Sequence, residues 1–153
     1  MQFLLSGNAL MQLCLEGTTL ASTWAEKKPT ADLRLSLIGI SMARAWVHAL
    51  EPGRRMTWSR SLEHRINEIE HDSGRPLPLD ERVMTAWAEI RAVKLEQEAK
   101  DAKGQPVIDD IGQDQRLEIA TAIAYGHKLV DPWARFHDQL DSMGMGKFVE
   151  SLR

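Results

Sequence analysis

The eight residues from Phe3 to Leu10, FLLSGNAL, constrain the fold more than any other stretch. Phe3, Leu4 and Leu5 form a short apolar run of the kind a buried parallel strand shows. Asn8 then opens a stretch whose apolar residues, Leu10, Leu13 and Cys14, recur at helical spacing. A strand that runs directly into a helix is the repeating unit of a sheet covered by helices. The turn between them lies at the carboxyl end of the strand, where open α/β sheets build their sites. The residue at that turn is a hydroxyl, Ser6, and not a charge.

The rest of the chain repeats the alternation. Gly17 is a plausible stop for the first helix, and a second short helix is predicted from about Thr18 to Lys27. Leu33, Leu35 and Leu37 alternate with polar neighbours, which predicts a strand. Ser41 is then the expected cap of a helix carrying Met42, Ala45, Trp46 and Ala49, broken near Glu51-Pro52-Gly53. A further helix is expected over about Thr57 to His71, and an edge strand over Arg75 to Leu79, which holds two prolines. Asp80 is a good cap for a helix with Val83, Ala86, Trp87 and Ile90 inward, predicted to run to about Lys100. Lys100 to Gln115 reads as a loop. Gln115 to Tyr125 reads as a buried helix stopped by Gly126. A strand at Lys128–Val130, a helix at Ala134 to Asp141 and a last strand at Lys147 to Leu152 complete the pattern. The expectation is one domain over residues 1–153, with a three-layer α/β/α architecture and a mainly parallel sheet of four to five strands.

Composition narrows the function classes. With 19 basic and 22 acidic residues the chain has no global electrostatic footprint for nucleic acid, so any such contact needs a local patch. One cysteine, Cys14, excludes an internal disulfide and fits a reducing, cytoplasmic compartment. No apolar stretch reaches the roughly 20 residues of a membrane span.

Several segments resemble PIN-domain nucleases of the VapC toxin type. FLLSGNAL is similar to that family's opening, a pattern like LLDTNVL, with Ser6 where the family has an aspartate and Asn8 kept. DLRLSLIGISMARAWV, RPLPLDERVMTAWAEIRA and LEIATAIAYGHKLVD resemble later PIN segments, in the same order and over nearly the whole chain. The resemblance implies a fold in which carboxylates at the strand ends hold Mg²⁺ or Mn²⁺ for phosphodiester cleavage. On this alignment the acid positions fall on Ser6, Met42, Gln115 and a position near Trp133, all uncharged. The expectation is therefore a vestigial pocket of Ser6, Asn8, Met42, Gln115 and Trp133, with no catalytic residue, metal or cofactor. What remains is a binding module in a plasmid-stability or toxin–antitoxin setting. The resemblance further implies a homodimer and an antitoxin-like protein or RNA partner. The alternative places a rearranged Mg²⁺- or Mn²⁺-dependent ribonuclease site on Asp109, Asp110, Asp114 and Asp131. In that variant PVID supplies the third acid, with about six residues inserted before the helix. A structural subunit of a larger assembly is a third reading.

Other features carry less. The five histidines, His48, His64, His71, His127 and His137, show no metal-ligand spacing. Arg54, Arg55 and Arg60 surround Trp58 and form the chain's one basic-aromatic cluster. They are either nucleic-acid contacts or a solvated helix start with Trp58 packed on the domain.

Overall fold

A computed structural model describes the chain except residues 1, 16, 133–136, 143, 151 and 153. Its elements are β1 (Phe3–Leu5), α1 (Gly7–Cys14), α2 (Leu20–Ala25), β2 (Leu33–Arg34), α3 (Leu37–His48), α4 (Pro52–Ser73) and α5 (Glu81–Ile90), followed by β3 (Glu96–Lys100), β4 (Pro106–Asp110), α6 (Gln113–Tyr125), β5 (Lys128–Val130) and α7 (His137–Ser142).

The sheet is parallel, in the order β2-β1-β5, with Phe3 opposite both Leu33 and Lys128. Single parallel bridges extend it at each edge, Ser36 with Leu77 and Leu129 with Val149. Five chain segments therefore lie side by side, and the expected edge strands at Arg75–Leu79 and Lys147–Leu152 are reduced to one bridge each. A 3-10 turn over Gly146–Phe148 takes up the start of the second.

Successive side chains of a strand point to opposite faces, and β1 divides the core accordingly. Phe3 and Leu5 pack with α1, α2, α3 and α4, while Leu4 packs with α5, α6, Leu77, Leu129 and Val149. This is the α/β/α arrangement the alternation predicts. No helix among the described residues is long and apolar enough to cross a membrane.

Four boundaries differ from the sequence expectation. α3 is capped by Ser36, whose Oγ accepts from Gly39 N at 3.0 Å, and not by Ser41. The Leu33–Leu37 alternation ends in a helix start. α4 begins at Pro52 and not at Thr57, because a proline ends one helix and is well suited to the first turn of the next. α5 stops at Ile90. The helix expected to continue to Lys100, and the loop expected after it, are instead an antiparallel ribbon pairing Glu96 with Asp110 through Lys100 with Pro106. Its turn is closed by Asp101 N donating to Gln105 O and by Asp101 Oδ1 accepting from Lys103 N and Gln105 N. Gly104 sits there at φ +76°. The expected helix at Ala134–Asp141 is α7; its first expected residues lie outside the described residues.

Among the described residues, an ion pair ties the ribbon to α6, and Glu96 N donates to Gln139 Oε1 of α7 at 3.0 Å. Asp110 accepts two hydrogen bonds from Arg116 Nη2, at 2.8 and 2.9 Å, and a third from Leu95 N. Arg116 is 2% exposed, and its Nη1 donates to the carbonyls of Ile90 and Val93. Removing one member of such a pair leaves the other charge buried without its partner. Asp110→Ala is expected to lower stability by roughly 2–4 kcal/mol in urea unfolding, and Asp109→Ala, whose exposed carboxyl accepts from the neighbouring Asp110 N, by less than about 1 kcal/mol.

Candidate functional site

The carboxyl end of β1 is where three helices meet. Ser6 N donates to Val130 O at 3.0 Å, so the residue still belongs to the sheet, while Ser6 O accepts from Leu10 N as the first bond of α1. Its Oγ accepts from Ala9 N at 3.0 Å, a helix cap, and the residue is fully buried. The hydroxyl at the position the alignment gives to an acid is thus engaged in holding α1.

The next amide, Gly7 N, is held from another element. Glu118 of α6 accepts it through Oε2 at 2.7 Å. Glu118 is 1% exposed, and its second oxygen, Oε1, has no hydrogen-bond partner. Burial pushes this carboxyl well above the usual carboxylate range. The nearby charges of Asp131 and Asp114 push the same way, against the pull of the Gly7 N–H. Two glycines admit it. A Cβ on Gly39 would lie 3.3 Å from Glu118 Oε2 and 3.0 Å from Ser36 Oγ, and one on Gly7 would lie 2.9 Å from the Cβ of Met42. α1 and α3 therefore cross closely at Gly7 and Gly39, and Glu118 closes the junction from α6.

Asn8 faces outward from this junction, with Nδ2 3.4 Å from Asp131 Oδ2 at the end of β5. Beside it a groove of about 160 Å³ runs between α1 and α3, lined chiefly by Gly7, Asn8, Met11, Leu15, Met42 and Trp46. Its walls are mostly apolar, with Asn8 and Gln12 the polar side chains of the lining. Trp46 is 44% exposed and meets Trp58 of α4 edge to face at 5.4 Å.

Of the expected pocket, Ser6, Asn8 and Met42 lie at this junction. Gln115 sits in the first turn of α6, where its Oε1 accepts from Gly112 N at 3.1 Å, and Trp133 lies outside the described residues. The four alternative acids are distributed differently. Asp110 is committed to Arg116, Asp109 pairs with Gln97 on an exposed strand, Asp114 lies in the first turn of α6, and Asp131 faces Asn8. Among the described residues no three His, Cys, Asp or Glu side chains form a group that could hold a metal ion. A hard divalent cation needs several anionic oxygens. At this junction Ser6 Oγ is used as a helix cap and Glu118 Oε2 accepts from Gly7 N.

The basic-aromatic cluster does not form a single face. At about 3.6 residues per turn, Arg54, Arg55 and Arg60 point to three sides of α4. Arg55 folds back to donate to Leu50 O, and Trp58 is half-buried against Trp46 and the core.

Glu118 was not among the residues singled out from the sequence. One signal for it exists. It is the one charge within Leu117–Tyr125, and it shares a helix side with Thr121, Ala122 and Tyr125, at the spacing of a buried face.

No protein-family model and no curated protein matches the chain. Solved structures do match it along nearly its whole length. FitAcB from Neisseria gonorrhoeae is 23% identical, with a TM-score of 0.61 over 96% of this chain and 91% of that one. FitAB bound to an IR36 DNA fragment is 22% identical, with a TM-score of 0.64 over 97% and 92%. The chain has the PIN-domain fold. VapBC2 from Rickettsia felis, bound to a DNA fragment from its promoter, agrees, with 13% identity and a TM-score of 0.59 over 97% and 96%. At these identities the likeness establishes the PIN fold, and the chemistry has to be read from this chain's own residues.

Ser6→Ala removes the α1 cap from a buried position and is expected to cost about 1–2 kcal/mol in denaturant unfolding. Ser6→Asp keeps a capping oxygen but places a second acid beside Glu118, and is expected to be less stable than wild type at neutral pH.

Proposed function

We propose that this PIN-fold chain is one partner of a toxin–antitoxin-type pair and acts by binding, without metal-dependent hydrolysis. The observation that carries this reading is the use made of the strand-end oxygens. Phosphodiester cleavage by divalent metals requires ionised oxygens facing a substrate. Here the Ser6 oxygen caps α1, and Glu118 bonds a backbone amide inside the protein. The setting is supported by the FitAB and VapBC2 likeness. The partner surface in this reading is the α1–α3 groove, whose Met11, Leu15, Met42 and Trp46 suit the apolar side chains of an antitoxin-like segment. A homodimer belongs to the same reading, by analogy with the family.

A rearranged ribonuclease is the second reading. One observation favours it: Asp114 and Asp131 lie close enough to Glu118 to act on its charge. Calorimetric titration with Mn²⁺ and incubation with single-stranded RNA separate the two. The binding reading predicts no Mn²⁺ uptake at millimolar metal, intact RNA, and no difference between wild type and Asp131→Asn. RNA cleavage that requires Mn²⁺ or Mg²⁺ and is abolished by Asp131→Asn or Asp109→Asn would overturn it.

A further inference from the structure

The β3–β4 ribbon has no part in the binding reading, and its two long edges are not equivalent. Antiparallel strands exchange ladder hydrogen bonds at every second residue pair. Ile111 N donates to Leu95 O at 2.8 Å at the base of the ribbon, and Asp101 N to Gln105 O at 3.0 Å at its tip. The register between them runs from Glu96–Asp110 to Lys100–Pro106. Ladder bonds therefore fall on the odd-numbered pairs, and the backbone groups of the even-numbered residues point out sideways. Two contacts agree with this. Glu96 N donates to Gln139 Oε1 of α7, and Asp110 N to the carboxyl of its neighbour Asp109.

α7 thus covers the base of the β3 edge. Among the described residues no strand pairs with the other edge, that of β4. Along it stand the carbonyl of Pro106, the N–H and carbonyl of Ile108 and the carbonyl of Asp110. All of β4 is exposed, Ile108 at 51%. Such an edge is a template for another strand.

We propose that the β4 edge pairs antiparallel with the same edge of a second copy of this chain, about a two-fold axis through Ile108, so that two ribbons join into one continuous sheet. The order of residues fits its own copy. At the centre the N–H and carbonyl of one Ile108 meet those of the other. At each end Asp110 N–H, released by Asp109, meets the Pro106 carbonyl of the other copy. Proline has no N–H, so the bond it cannot make falls at the ends of the pairing and not at its centre.

The side chains follow the same register. Paired residues share a face of the sheet, so the two Ile108 side chains meet at the axis. Lys100 of one copy lies in the same row as Asp110 of the other, across Pro106, so a cation faces a carboxylate at each end. On the opposite face Val107 stands against the other copy's Asp109. The two Asp109 residues become diagonal neighbours, about 7–8 Å apart, and repel. A short edge with one repelling pair gives a weak, concentration-dependent association. The pairing uses no residue of the α1–α3 groove and holds or fails independently of the binding reading.

The test is sedimentation of the intact chain over a range of concentrations, with disulfide trapping beside it. The average mass is expected to rise with concentration. Ile108→Lys, at an exposed position outside the ribbon's own ladder, is expected to weaken association by roughly tenfold. Asp109→Asn, which removes the diagonal repulsion, is expected to strengthen it. In a chain carrying Cys14→Ala, Ile108→Cys is expected to link into a disulfide dimer under mild oxidation faster than Lys103→Cys at the exposed turn. An average mass that Ile108→Lys leaves unchanged would overturn the proposal, whatever other surface associates. So would an Asp109→Asn chain that associates more weakly than wild type. Ile108→Cys linking no faster than Lys103→Cys would overturn it too, even if Ile108→Lys disturbs the ribbon.

Discussion

The bond from Gly7 N to Glu118 joins the central strand's exit turn to a helix 111 residues later in the chain. Everything at the candidate site is arranged around it. β1 is central to a sheet whose two faces are separate cores, so its end can move little. Ser6 sets the direction of α1, and Glu118 satisfies the amide that Ser6 does not reach. The glycines at 7 and 39 let α1 and α3 approach closely enough for the carboxyl to be enclosed. A side chain at Gly7 would press on Met42 and the Gly39 carbonyl of α3, and one at Gly39 on Glu118 and the Leu5 carbonyl.

This arrangement gives the strand-end oxygens of the fold structural partners. The Ser6 hydroxyl at the strand end caps α1 and so fixes the strand-to-helix turn. A carboxyl does reach the same turn, from α6 and not from β1. It is aimed at backbone, and burial favours its neutral form. The apolar groove beside it is lined by Met11 and Met42, with the half-exposed Trp46 among its walls. The junction thus offers a surface for apolar contact.

Much of the fold is local enough to read from sequence. The apolar triplet of β1 and the Asp80 cap, whose Oδ1 accepts from Val83 N, follow from short-range pattern. The Lys128–Val130 strand is legible in the same way. The β3–β4 ribbon is not. Its strands carry Glu, Gln, Lys and Asp in place of β-branched alternation, and Asp110–Arg116 fixes it from a following helix. The start of α3 was missed because Leu37 continues the strand alternation while Ser36 already caps the helix. At the site, Ser6 was visible as a departure from a motif and Asn8 as a residue that keeps it. Glu118 stands out in sequence only as a lone acid on a buried helix face; its role was hidden because its partner, the Gly7 amide, lies 111 residues away.

The central claim is that the strand-end pocket is a packed junction and not a cation site. Adding Mn²⁺ while recording amide signals tests it directly, because the metal broadens the resonances nearest to it. The account predicts that Gly7, Asn8 and Glu118 lose no more intensity than exposed acids such as Glu68 and Glu81. Selective disappearance of those three signals at micromolar Mn²⁺ would contradict it.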